Sequence, residues 1–516
     1  MAGLDVSNAT RQHLGQIARG GAAGLAGALV AGVAGFVLVV VVARGLPADQ
    51  AGVFFAVTAL FLIVEGLAVL GTDTGLARFL LRLEATRSSK VIVSLIRATM
   101  RTTLAGATIL AVIMGLLAAP LSQAFGWDDD AARALMVLAV ALPAAVLADL
   151  SLAATRAFGE MRSTVLVDRL LRAGSQPILV GVTLYAGAGL TGAVVAWAAT
   201  HFLGAGLAVL ALQRRLRQRG HGSMRRCGPL APGLLGEFWS FTWLRGLARV
   251  AQLGMQKLDI ILVAALVSPT AAAAYTVATR FVPLGQMATQ AIQQVLQPRM
   301  TAILVHDDPR TLGEVYQVST AWNMLVAWPL YLGVGALATT YLDLFGAQVL
   351  QVEHTELVVM VMAATMLFAV ASGPVDTLLL MAGRSGISAF NTLLALVIDV
   401  VGCLLLVPPL GILGAAFAWA AAVVTRCSLA FWQVRRDLGV HALSRVTLRA
   451  AWLPALWVGL PAVVIAVLDP GTPLVFTAVA VIVAGYGLAL WRRRQSLGLD
   501  GMAQAIRRRH VAGAHR

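Results

Sequence analysis

Apolar runs of about 20 residues recur along the whole chain, separated by short polar connections. A helix of that length, rising about 1.5 Å per residue, crosses the roughly 30 Å hydrocarbon core of a bilayer. The pattern predicts fourteen spanning helices near 21–43, 51–80, 91–119, 131–156, 163–186, 189–212, 237–265, 270–298, 312–339, 355–382, 386–407, 411–434, 449–468 and 472–491. The expected fold class is therefore an all-α polytopic membrane protein. An outer-membrane barrel is excluded, because its strands alternate apolar and polar positions in short segments. The polar stretch 1–19 leads into the first apolar run with no small-residue cleavage site, which reads as an uncleaved first helix.

The chain repeats itself. Gly189-Leu-Thr-Gly-Ala-Val-Val-Ala-Trp-Ala-Ala-Thr200 returns 222 residues later as Gly411-Ile-Leu-Gly-Ala-Ala-Phe-Ala-Trp-Ala-Ala-Ala422. Pro47 and Pro269 keep the same offset, and Gly159 and Gly383 are 224 apart. The expected organisation is an N-lobe (1–212), a basic linker (213–236), a C-lobe (237–437), an extra helical hairpin (438–494) and a basic tail (495–516). Asp469-Pro470-Gly471-Thr472-Pro473 turns that hairpin, and the tail, with Arg507, Arg508 and Arg509, reads as an anchor to anionic lipid. Arginine-rich connections fall on every second loop, which places both termini in the cytoplasm. Six helices per repeat is an even number, so both halves start from the same side. They are expected to be related by an axis along the membrane normal, with the site between them.

Composition agrees with the pattern: 59% of residues are hydrophobic and 12% charged, against about 25% charged in a soluble domain. The net charge of +15 is accounted for by the cytoplasmic loops, so no nucleic-acid partner is implied. Cys227, Cys403 and Cys427 are scattered, as are the histidines, and no metal site or cofactor is expected. No P-loop, HExxH or DxD-type signature appears, so the chain reads as a transporter rather than an enzyme.

Charged residues inside spanning helices are costly and usually face a cavity or a partner. In the segment 237–265, Arg245, Arg249, Gln252, Gln256 and Asp259 fall within about 80° of one another, with Lys257 off that stripe. In 270–298, Thr276, Arg280, Gln286, Gln290, Gln293, Gln294 and Gln297 cover a side about 140° wide. These stripes read either as cavity linings or as polar seams between helices. Arg280 offers a fork suited to phosphate or carboxylate. The first half is less charged. Glu65 shares a stripe with Thr58 and Thr72 and is expected to line the cavity with Gln252, Gln256, Asp259, Gln286, Gln290 and Gln294, and Asp149 shares a face with Arg156, as an internal ion pair or a functional site. Asp376 occupies nearly the place of Asp149 in the second half, and Asp399 lies mid-helix without a local cation. Asp399, Asp149 and Asp376 are candidates for ion coupling, against a structural hydrogen bond. Gly20, Gly24, Ala28 and Gly32 read as close helix packing or as a flexible gate.

Tyr275-Thr-Val-Ala-Thr-Arg280-Phe-Val-Pro-Leu284 with Leu296-Gln-Pro298 resembles the eighth helix of the multidrug/oligosaccharidyl-lipid/polysaccharide exporter superfamily. Gly52-Val-Phe-Phe-Ala and Ala382-Gly383-Arg384 fit the same pattern. Within it the chain is most similar to the polysaccharide (O-antigen-type) flippases and the lipid II flippase. The resemblance implies alternating access, a central cationic cavity for a lipid-linked pyrophosphate sugar, and a groove for the lipid tail along the last two helices. The lipid II pattern has arginines in its first two helices. Here the first helix has no charge in its core and Ala59 stands near the place corresponding to Arg280, which favours another polyprenyl-linked glycan. The multidrug branch usually has twelve helices and an acidic cavity. The expected function is thus translocation of a polyprenyl-(pyro)phosphate oligosaccharide across a bacterial cytoplasmic membrane, with Arg280, Arg245 and Arg249 on the pyrophosphate and glutamines on the sugar. The expected partners are that lipid-linked glycan, the bilayer, and glycosyltransferases or a polymerase of the same pathway. The rivals are an H⁺- or Na⁺-coupled multidrug exporter and a non-transporting scaffold of a glycan-assembly complex.

Overall fold

The computed structural model of the chain describes residues 8–85, 89–220, 233–305, 308–468 and 472–492. Most of the linker (221–232), the centre of the hairpin turn (469–471) and the basic tail lie outside the described residues. Helices of the first half are α1 (Asn8–Gly45), α2 (Ala48–Val69), α3 (Thr72–Ala85), α4 (Ser89–Ala124), α5 (Asp129–Ala157), a π-helical stretch (Thr164–Arg172), α6 (Ala173–Tyr185) and α7 (Gly189–Gln218). The second half contains α8 (Leu234–Leu266), α9 (Pro269–Thr279), α10 (Phe281–Val305), α11 (Pro309–Ala336), α12 (Ala338–Asp343), α13 (Ala347–Leu350), α14 (Thr355–Ala371), α15 (Val375–Met381), α16 (Ser385–Leu410) and α17 (Ile412–Leu438). After these come α18 (Arg445–Pro454), a second π-helical stretch (Ala455–Gly459), α19 (Leu460–Leu468) and α20 (Thr472–Arg492).

Among the described residues nine helices are long and apolar enough to span a membrane, or ten if the bent pair α14–α15 is one span. Four of the other five predicted spans are interrupted or charged for definite reasons; the fifth, α11, is one unbroken helix. The segment 163–186 divides into the π-helical stretch and α6, where Pro177 lacks an amide donor. Five charges in α8 (Glu237, Arg245, Arg249, Lys257 and Asp259) take it outside an apolar definition. The span at 270–298 breaks at Arg280, because Pro283 cannot donate to the carbonyl of Thr279. Gly373, with φ +76°, and Pro374 break the tenth span.

Local chemistry sets several helix starts. The Ser268 hydroxyl accepts from the Ala271 amide at 3.1 Å, with Pro269 in the first turn of α9. Ser444 and Thr447 form a reciprocal capping box at α18.

Within each half the main contacts are α4 on α5, α5 on α7, α11 on α14 and α16 on α17; α5 and α7 run parallel, with Arg215 and Arg219 at the end of α7 donating to the Phe158 carbonyl just after α5. Contacts across the halves run mainly from α2 to α8 and α9, and from α1 to α10. Glycines on α2 make this contact close. A side chain at Gly52 would overlap the Pro269 carbonyl, one at Gly66 would meet Leu253, and one at Gly71 would stand 2.6 Å from the Thr242 carbonyl oxygen. Gly246 answers from α8, where a Cβ would lie 2.5 Å from the Leu70 carbonyl carbon. On α1, the place of a Gly32 side chain is taken by Met287. Arg44, at the end of α1, donates to the carbonyls of Leu344 (2.8 Å) and Asp343 (3.0 Å).

Candidate functional site

Arg280 caps α9 and turns its guanidinium toward α1, where Nη2 occupies the place a Gly35 side chain would need. Phe281 and Tyr341 stack edge-on beside it at 5.6 Å, and the Tyr341 hydroxyl donates to the Val277 carbonyl at 2.8 Å. Among the described residues no acid or carbonyl pairs with Arg280; the Tyr341 hydroxyl lies near it. Lys257 of α8 lies within Coulombic range of both Arg280 and Asp259. A half-buried cation without a paired anion is costly, so Arg280, with Lys257 near it, marks a place suited to negative charge. Lys257 stands off the helical stripe shared by its polar neighbours, and Arg280 stands at the break between α9 and α10.

The other two arginines lie elsewhere. Arg249 forms a 3.1 Å ion pair with Asp73 of α3. Arg245 lies 4.9 Å over the Phe241 ring, which Arg78 also covers at 4.2 Å. Both are exposed, and Arg245 is about 18 Å along α8 from Lys257 at 1.5 Å per residue. The three predicted cations therefore divide into the half-buried Arg280 and an exposed pair in the N-terminal half of α8.

Gln252, Gln256, Gln286 and Gln290 converge on a single cavity of about 300 Å³. Gln293, Thr289, Asn323, Asp376, Arg426 and Trp419 complete its polar wall. The side chain of Gln294 lies outside the described residues. Arg426 and Asn323 were not singled out above. Arg426 carries a signal equivalent to that of Arg280, a charge in the middle of an apolar run, whereas nothing local distinguishes Asn323.

The remaining acids fall into two buried groups. Asp259 accepts from the Tyr275 hydroxyl and the Ile260 amide, each at 2.8 Å, and does not line the cavity. Asp399, 1% exposed, is near Asp259 and leaves Oδ1 without a partner. In the first half, Glu65 and Asp149 approach each other beside the ion pair that Asp168 makes with Arg172 (2.6 Å) in the π-helical stretch. The side-chain pair Asp149–Arg156 does not form; Arg156 donates to Thr164 at 3.4 Å instead. His201 lies against this group, wedged between Phe61 and Trp197, with neither ring nitrogen bonded. Trp197 and Trp419 are the repeated tryptophans; Trp197 packs on His201, and Trp419 lines the cavity. Among the described residues no three His, Cys, Asp or Glu side chains are grouped to hold a metal ion.

The fold is shared with known transporters. The lipid II flippase MurJ, in an inward closed conformation, matches at 11% identity over 90% of this chain and 97% of its own, with a TM-score of 0.69. An inward-facing multidrug-resistance MATE family transporter of the MOP superfamily matches at 16% identity over 79% and 94%, with a TM-score of 0.63. A eukaryotic MATE transporter gives 14% identity over 87% and 98%, with a TM-score of 0.57. No curated protein sequence matches the chain. The profile of the family described as polysaccharide biosynthesis protein matches residues 41–352, more than half of the chain. The chain therefore belongs to the polysaccharide biosynthesis protein family and has the fold of the multidrug/oligosaccharidyl-lipid/polysaccharide exporter superfamily.

Proposed function

We propose that the chain is a flippase that carries a polyprenyl-(pyro)phosphate-linked oligosaccharide from the cytoplasmic to the outer leaflet. The observation that carries this reading is the pair of half-buried cations, Arg280 and Lys257, with no paired acid on Arg280. They would hold the phosphate groups, while the exposed Arg245 and Arg249 provide a cationic approach. The glutamine-lined cavity takes the sugars, and the lipid tail stays in the bilayer along α18–α20. The N-lobe (1–212) and C-lobe (237–437) rock about the contact between α2 and α8, exposing the site to each side in turn. An inside-negative potential drives an anion outward by about 2.3 kcal/mol per charge per 100 mV.

Family membership supports a role in polysaccharide production, and the cationic site argues against a drug-exporter cargo of cationic dyes. The buried acids Asp259 and Asp399 favour a secondary reading, in which a cation accompanies transport. The test uses the purified protein in vesicles with a fluorescent polyprenyl-pyrophosphate oligosaccharide. Arg280→Ala, with expression and folding verified, is expected to abolish flipping. Flipping at the wild-type rate by that variant would remove the proposed site.

A further inference from the structure

The cavity wall formed by α11, α15 and α17 has polar groups that the fold leaves incompletely bonded. Asp376 Oδ2 is 3.9 Å from Arg426 Nη1, too far for a hydrogen bond. Asp376 Oδ1 and Arg426 Nε have no partner, and neither does Oδ1 of Asn323, which is 2% exposed. Buried polar groups are ordinarily satisfied, so three such atoms at one cavity mark a place for water or for a ligand whose polar groups replace it. The helix break fixes this geometry. Tyr316 donates to the Ser372 carbonyl at 2.6 Å, and Gly373 lies so close to Tyr316 and Thr320 that no side chain fits.

A ligand there must satisfy a carboxylate, a guanidinium and an amide together. A free anion is repelled by Asp376 and a free cation by Arg426. A metal ion finds no group of three suitable ligands among the described residues. A pair of neighbouring hydroxyls fits, because each hydroxyl donates to one group and accepts from another. The surrounding glutamines also offer both donors and acceptors, and Trp419 presents a flat apolar face to the same space.

We propose that this cavity binds an uncharged sugar ring through two adjacent hydroxyls held by Asp376, Arg426 and Asn323, with the ring against Trp419. The proposal rests on the reading that the cargo carries a glycan. It makes Asp376 a sugar ligand rather than an ion-coupling residue.

The test uses the full-length protein in nanodiscs and a panel of methyl pyranosides (gluco, galacto, manno and their 2-acetamido analogues). Binding is read by ligand-observed NMR and by Trp fluorescence. At least one glycoside is expected to bind. Its analogue lacking one of the adjacent hydroxyls should bind at least tenfold more weakly. The charge-neutral double variant Asp376→Asn/Arg426→Gln, which leaves no isolated charge, should weaken the parent glycoside at least tenfold. Absence of binding by every glycoside, or unchanged binding by the double variant, overturns the proposal. Flipping by the wild type separates the two readings. If glycosylated lipid is flipped but no glycoside binds, the sugar site fails and the flippase stands. If glycosides bind as expected but no lipid is flipped, the flippase fails and the sugar site stands.

Discussion

The guanidinium of Arg280, in the second half, occupies the space that a side chain at Gly35, in the first half, would fill. The two halves thus meet at the half-buried cation itself, and the absence of one methyl group sets where that charge sits. Gly35→Ala is expected to fold, because the obstructing atom is the mobile end of a long side chain. The charge must then move. Losing a charge-assisted contact costs about 1.5–3 kcal/mol, so lipid flipping should fall about tenfold or more with thermal stability nearly unchanged. Parallel measurement of flipping rate and melting temperature checks this. A large drop in melting temperature would mean that Gly35 serves packing alone.

Lys257→Gln should weaken binding of a polyprenyl pyrophosphate by about tenfold, as expected for one charged contact. Arg245→Gln should instead change the salt dependence of association, because exposed charges act by steering. Titration of the lipid at two ionic strengths separates these effects. Equal behaviour of the two variants would contradict the division into a half-buried site and an exposed approach.

The α2–α9 contact should be intolerant of side chains. Gly52→Ala places a Cβ into the Pro269 carbonyl, and overpacking of this kind costs about 1–3 kcal/mol or more. Gly106→Ala, in α4 with nothing within 4 Å of the added atom, should be neutral or stabilising by about 0.5–1 kcal/mol. Thermal unfolding in one detergent compares them.

Asn391 and Gln433 form a reciprocal buried amide pair at 2.6 and 3.0 Å between α16 and α17. Gln433→Leu strands the Asn391 amide and should cost about 1–3 kcal/mol. Adding Asn391→Leu should recover most of that loss, as a double-mutant cycle would read.

Much of this architecture was legible in the sequence. Apolar length gave the helical class, and the Trp197 and Trp419 copies marked the counterpart positions in the two halves. The glutamines at 252, 256, 286 and 290 were legible as one lining because all four lie on helix faces with a common period. The rest depended on irregular backbone. The break at Arg280 interrupts the stripe, and a regular helical wheel registers neither it nor the approach of Arg280 to Lys257. Arg249 was separated from Arg280 by a partner 176 residues away, Asp73. Asn323 acquires its place from the packing of α11 on α14, which has no local signature. The count of fourteen spans rests on the same regularity, and helix breaks and charged positions are where nine or ten apolar spans depart from it.

The central claim is the cargo, and the most direct measurement is leaflet exchange in vesicles containing the wild-type protein. The glycan-bearing polyprenyl pyrophosphate is compared with a cationic dye under an imposed inside-negative potential. The account predicts protein-dependent flipping of the lipid-linked glycan, lost in Arg280→Ala, and no dye transport. Dye transport with no lipid exchange would contradict it.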